Sequence, residues 1–257
     1  MTRKHGKIMG ISISSTQVSK VLKFIDFSLK KKHKFFIATP NPEILVEASK
    51  NNSLQKALRS ADILLPDGAG LILASKFLGF KLNRITGRKM FEKILKFADQ
   101  KNLKIFLLGS SGKVISLCLK RLKGEYSTIK ASGFEGPFLD KEGSPITNKD
   151  LEAEKRALRM INTFKPDILF VAFGAPKQEI WLNNNLHKLK IGGGMVVGGT
   201  FDYFSGVKPL PPRFLSKIGL EWLWRLIYDP KRLKRIFNAL VVFPFLVLFK
   251  KQNERKN

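Results

Sequence analysis

Five short apolar runs, each closed by a polar or glycine-rich turn, constrain this chain more than any other feature. Phe35-Phe36-Ile37-Ala38 leads into Thr39-Pro40-Asn41-Pro42, Ile63-Leu64-Leu65 into Pro66-Asp67-Gly68, and Ile105-Phe106-Leu107-Leu108 into Gly109-Ser110-Ser111-Gly112. Ile168–Ala172 leads into Gly174-Ala175-Pro176, and Met195-Val196-Val197 into Gly198-Gly199-Thr200. Runs without a polar face, most followed by helical periodicity, mark strands covered on both sides. The expected fold is α/β: a Rossmann-like, mostly parallel sheet with helices on both faces. Such sheets take ligands in the crevice beyond their strand C-termini, where each of these turns falls. Lys7–Ile13 alternates and reads as an edge strand, with Ser15 or Thr16 capping the helix that follows. Phe134–Asp150 carries four Gly or Pro breakers and reads as a surface loop.

The chain changes character near residue 206. Residues 1–206 read as the Rossmann-like core, and 207–257 as a basic, apolar, helical appendage. Val207–Asn257 holds 12 Lys/Arg against 3 Asp/Glu, a net of +9 within a whole-chain charge of +27. Phe214, Ile218, Trp222 and Leu226 recur at helical spacing, and Asp229-Pro230 ends one helix and starts another. Ala239–Phe249 is apolar on every side but about half the roughly 20 residues a spanning helix needs. A segment both cationic and apolar suits an anionic membrane surface, on which it would lie without crossing. The N-terminus lacks an apolar h-region and Cys118 is the only cysteine. Together these point to a reducing, cytoplasmic setting at the inner face of the membrane.

Asp67, directly after a buried strand, is either part of a Pro-Asp-Gly turn or a carboxylate placed to take a proton from a hydroxyl. Thr39 and Asn41 are either turn and capping residues or hydrogen-bonding groups for a sugar. Gly109–Gly112 offers backbone N–H groups that suit a phosphate, though without a dinucleotide or Walker pattern. Arg84, Arg88 and Lys89 form a basic loop or a counter-charge for a diphosphate leaving group. His5, His33 and His187 are scattered, and no metal-ligand spacing occurs.

Six strings taken together resemble a known family: Thr39–Glu43 (TPNPE), Pro66–Gly70 (PDGAG), Arg84–Gly87 (RITG), Gly174–Glu179 (GAPKQE), Gly199–Asp202 (GTFD) and Gly219–Arg225 (GLEWLWR). In this order they look like the WecG/TagA/CpsF glycosyltransferases, from about Lys7 to Arg235. The resemblance implies a metal-independent, inverting transfer of N-acetylmannosamine, or its uronic acid, from a UDP-sugar. The acceptor would be polyprenyl-diphosphate-linked GlcNAc, in cell-envelope polysaccharide or teichoic acid synthesis, with no cofactor beyond the donor. It implies Asp67 as base and Arg84 as the diphosphate's partner. Thr39 and Asn41 would line the pocket, Gln178 and Asp202 the nucleotide side, and the appendage would meet the membrane and help close the site. Arg213 and Arg225 are expected to reach the acceptor diphosphate.

The chain departs from the family pattern at Arg88-Lys89, where an acidic residue is usual, at Ser205, and at Leu210. Two rival classes are a basic nucleic-acid-binding protein and a nicotinamide-dependent oxidoreductase. The first rests on charge alone, without a recognised module, so no specific nucleic acid is expected. The second lacks the glycine fingerprint and its following acidic residue. Oligomeric state, a homo-oligomer included, is left open by the sequence.

Overall fold

The computed structural model describes residues 5–212, 215, 221–228 and 233–254. The chain opens with an antiparallel hairpin, β1 (His5–Ile8) and β2 (Ile11–Ser14). Met9 and Gly10 both adopt positive φ (52° and 79°) at its two-residue turn, the backbone that matches strand twist. The edge strand expected over Lys7–Ile13 is therefore two strands in a sheet of their own. The hairpin meets the main sheet through a side chain: Ser14 Oγ accepts from Leu64 N at 3.1 Å. Nor do Ser15 or Thr16 cap the next helix. Gln17 holds that position without a side-chain cap, and Ser15 Oγ instead donates to Lys81 O.

The main sheet is parallel throughout. Its strands are β3 (Phe35–Ala38), β4 (Ile63–Leu64), β5 (Lys104–Gly109), β6 (Lys130–Phe134), β7 (Ile168–Ala172) and β8 (Gly193–Val196). They lie in the order β4-β3-β8-β7-β5-β6. Helices α1 (Val18–Lys30), α2 (Pro42–Ala48), α3 (Asn52–Ser60), α4 (Ala69–Phe77), α5 (Gly87–Gln100) and α6 (Gly112–Glu125) connect the first strands. They are followed by α7 (Asn148–Phe164), α8 (Lys177–Asn185) and α9 (Thr200–Phe204).

The pleat explains the continuous apolar runs. Ile105 and Leu107 enter one core cluster with Phe35, Ile37, Phe170 and Met195. Phe106 and Leu108 enter the other with Phe36, Ala38, Leu169 and Val171. Successive residues point to opposite faces, so a strand buried on both sides has no polar face to show.

Two strand features were not legible. β6 pairs with β5 from Lys104↔Lys130 to Leu108↔Phe134, yet Lys130-Ala-Ser-Gly-Phe134 is half-exposed and mostly polar or small. An edge strand buries less and so carries a weaker apolar signal. β8 begins at Gly193, two residues before the expected run. A Cβ there would lie 2.3 Å from the Phe35 ring, so the glycine marks close packing within a strand. The expected loop after Phe134 holds one isolated bridge, Leu139↔Pro145, and gives way to α7 at a Thr147–Asp150 capping box.

The C-terminal segment contains α10 (Glu221–Tyr228), α11 (Leu233–Phe237), a π-helical turn (Asn238–Val242) and α12 (Phe243–Glu254). Most of the expected Phe214–Leu226 periodicity before Glu221, and Asp229-Pro230, lie outside the described residues. Pro244 follows the π-helical turn inside a helical run continuous from Leu233 to Glu254. A proline cannot donate to the i→i−4 ladder, and the π-turn before it is where that ladder is already shifted. Ala239–Phe249 is not uniformly exposed: Phe243 and Val247 are buried in the core cluster that includes Ile44 and Leu45 of α2. Leu240, Val241, Phe245, Leu248 and Phe249 face outward. No helix among the described residues is long and apolar enough to cross a membrane.

Candidate active site

The C-terminal ends of four adjacent strands, β4, β3, β8 and β7, converge on one crevice. After β3, Asn41 caps α2 by accepting from Ile44 N at 2.9 Å, with Pro42 at the first helical position. Thr39 packs on Gly87, where a Cβ would come within 3.1 Å of its hydroxyl oxygen. After β4, Asp67 N donates to Pro40 O at 2.9 Å, tying the two turns together. Asp67 Oδ2 accepts from Gly87 N at 3.1 Å, at the start of α5. The backbone N–H of a helix start thus orients the carboxylate. Gly68, with φ of 98°, swings the chain from Asp67 into α4, a conformation a side chain would strain.

Gln178 joins the turns after β7 and β8. It is buried, and its Oε1 accepts from Gly174 N at 3.2 Å and Gly198 N at 3.1 Å. Its Nε2 donates to Glu179 Oε1 at 2.9 Å. Glu179 is itself buried, and burial pushes its carboxyl up to about 7. The Gln178 hydrogen bond and Arg235 act against that rise, and Glu43 adds to it. Glu179 Oε2 has no hydrogen-bond partner among the described residues. Asp202 Oδ1 accepts from Ser110 Oγ at 3.1 Å, and Oδ2 pairs with Lys208 Nζ at 2.6 Å.

The Gly109–Gly112 loop does not present an open phosphate cradle. Gly112 N donates to Glu135 Oε2 at 2.8 Å and Ser110 N to Ala172 O at 3.2 Å.

Two cavities occupy the crevice. The smaller, about 140 Å³, is polar and is lined by Thr39, Gln178, Asp202, Arg88, Lys208 and Tyr228 among others. The larger, about 630 Å³, lies between α4 and the C-terminal helices and is mostly apolar, with Leu73, Phe77, Trp222, Ala239 and Phe243 in its walls. Its size is that of a small-ligand site. Asn41, Glu43, Asp67 and Arg235 line both. Arg84 lines the larger cavity, whereas Arg88 and Lys208 line the smaller one.

Glu43 and Arg235 were not singled out from the sequence. Arg235 Nε pairs with Glu43 Oε1 at 3.1 Å, and Nη2 donates to Ala175 O at 3.2 Å. One C-terminal side chain thereby reaches the turns after β3 and β7. It sits in a run of four cations, Lys231, Arg232, Lys234 and Arg235, which reads as surface charge. Arg213 lies outside the described residues, as does the side chain of Arg225, a residue of α10.

Comparison with known proteins settles the family. The model of the "Glycosyl transferase WecG/TagA/CpsF family" matches residues 6–257. The chain belongs to the WecG/TagA/CpsF family. Among its relatives, a protein of Bacillus spizizenii is 34% identical over 204 residues, 79% of this chain and 75% of that one. A Bacillus subtilis protein is 31% identical, covering 92% of this chain and 90% of its own length. A Staphylococcus aureus protein is 28% identical over 97% and 94%. All three are named N-acetylglucosaminyldiphosphoundecaprenol N-acetyl-beta-D-mannosaminyltransferase. Of the family-like strings, TPNPE, PDGAG, GAPKQE and GTFD contribute residues to the crevice from the four strand ends. RITG adds Arg84 and the start of α5.

Proposed function

We propose that the protein transfers N-acetylmannosamine, or its uronic acid, from a UDP-sugar to polyprenyl-diphosphate-linked GlcNAc, with inversion and without a metal. The observation that carries this reading is the meeting of a polar and an apolar cavity at Asp67. A nucleotide-sugar and a lipid-linked acceptor are chemically unlike, and a transferase must bring the sugar ends of both to one base. In this reading the donor takes the polar cleft, with Thr39, Gln178 and Asp202 around it and Arg88 and Lys208 as cations. The acceptor enters from the apolar side. The names of the relatives, which join a mannosaminyl group to a lipid-diphosphate GlcNAc, support the same assignment.

Asp67 accepts the proton of the acceptor hydroxyl as that oxygen bonds to the anomeric carbon. The bond from that carbon to the UDP oxygen breaks on the opposite face, and the configuration inverts. Arg88 and Lys208 line the donor cleft and meet the departing diphosphate's charge. Arg84, which lines the adjoining cavity that Asp67 shares, adds a guanidinium whose planar fork suits a diphosphate better than an ammonium. Arg213 and Arg225 assist at the acceptor diphosphate, and the protein works as a peripheral element of the inner membrane face.

The test is to incubate the protein with a panel of UDP-sugars and a lipid-diphosphate-GlcNAc, with and without EDTA, and to measure UDP release. Release with UDP-N-acetylmannosamine or its uronic acid that depends on acceptor and survives EDTA is expected. Release only with another sugar, or loss on chelation, overturns the donor or the metal-free part respectively.

A further inference from the structure

The larger cavity has an apolar rim as well as apolar walls. Leu73 and Phe77 of α4 line it and are 65% and 46% exposed; Leu240 and Leu248, across from them on the C-terminal helices, line it and are 48% and 47% exposed. In water such a mouth is unfavourable, because contiguous apolar surface on a soluble face normally marks a binding surface. On α4 the exposed Lys76 lies between the two rim residues in sequence, so Leu73, Lys76 and Phe77 share a helix face at i, i+3 and i+4. Apolar side chains with an interleaved cation form the pattern of a helix seated at a lipid headgroup boundary. The whole-chain charge of +27 favours an anionic surface as the occupant.

We propose that α4, a helix of the catalytic core, docks into an anionic bilayer together with the C-terminal helices, so that the apolar cavity opens directly into the acyl layer. The bilayer contact is then not confined to the C-terminal segment. Asp67 lies two residues before α4, so the helix that enters the interface also carries the proposed base toward it. An acceptor's isoprenoid chain slides in sideways between Leu73, Phe77, Leu240 and Leu248 without passing through water. The choice of occupant rests on the acceptor proposed above; the docking itself does not require that any sugar be transferred.

A site-specific fluorophore tests this. Cys118 is buried, and burial pushes its thiol up to about 12, so in the folded protein it resists labelling. The full chain carrying Leu73→Cys is labelled with an environment-sensitive dye and mixed with vesicles of phosphatidylglycerol and phosphatidylcholine. Phe138→Cys is the control. That residue is 77% exposed, follows β6 at the opposite edge of the sheet from β4, and does not line the cavity. The dye at position 73 is expected to brighten and shift to the blue with anionic vesicles, less so with pure phosphatidylcholine, while the dye at 138 stays unchanged. The unlabelled Leu73→Gln/Phe77→Gln variant is expected to co-sediment about tenfold more weakly, a conservative figure for two large apolar side chains.

A dye at Phe249→Cys that responds while the one at 73 stays silent means that the tail docks alone, and overturns the proposal. So does a response at 73 that follows protein concentration without vesicles, which marks a second copy as the occupant. Because these readouts need no substrate, failure of the transferase reading leaves them unaffected, and their failure leaves the transferase reading standing.

Discussion

At the scale of single residues, Asp67 and Glu179 are carboxylates in contrasting surroundings. Asp67 sits where both cavities meet and is oriented by Gly87 N. Asp67→Asn keeps the shape and removes the base, so turnover is expected to fall by about 10²–10⁴-fold while donor affinity, read by calorimetry, changes little. Near-normal turnover would reassign the base. Glu179 braces Gln178 from a buried position, and its carboxyl is raised from 4.5 to about 7. The raised value means that the folded state holds a proton the unfolded state has already lost. Below about pH 4.5 both states are protonated and the group contributes nothing; between there and about 7, stability falls as pH rises. Glu179→Gln does not titrate, so its urea midpoint should gain on the wild type as pH goes from 5 to 8. The span is about 3 kcal/mol at most. A constant difference across that range would show that the carboxyl ionises normally.

At the scale of elements, the C-terminal helices act as one wall of the site. Phe243 and Val247 of α12 are buried in the core cluster. Phe243→Ala should cost about 3–5 kcal/mol in chemical denaturation, an effect absent if α12 were only a membrane tail. Removing everything after Ser205 would uncover the α2 surface these residues cover, and vesicle binding and acceptor turnover should both fall. Arg235 contributes differently. Its pair with Glu43 is partly exposed, with side-chain exposures of 43% and 21%, so its net worth to stability is under about 1 kcal/mol. Arg235→Ala should leave the melting temperature nearly unchanged yet lower kcat/KM for the acceptor, because the side chain lines both cavities. A variant that loses stability and activity in proportion would make Arg235 a structural tie only.

At the scale of the whole molecule, the sheet gathers at one edge what the sequence scatters over some 170 positions. Thr39, Asn41 and Asp67 were legible as strand-end residues, because an apolar run followed by a breaker marks a strand C-terminus, whereas Gln178 and Asp202 came only from the family resemblance. Their convergence follows from the order β4-β3-β8-β7, which places four such ends side by side.

Local pattern therefore determined the fold class, five of the six strands of the main sheet and the polar turns that line the crevice. It also marked out Asp67, whose turn chemistry and strand-end position are both local facts. Only the tertiary structure decided the rest. It separated the N-terminal hairpin from the sheet, since the Ser14 contact depends on where β4 lies. It showed that the Ser110 and Gly112 amides are already engaged by the carbonyl of Ala172 and by Glu135. It picked Arg235 from four neighbouring cations and paired it with Glu43, 192 positions earlier in the chain. It divided the crevice into a polar and an apolar cavity, with Arg84 on one side and Arg88 on the other. The physical reason is common to all four. Periodicity records which side a residue turns toward, whereas a cavity or an ion pair depends on which distant surface stands opposite.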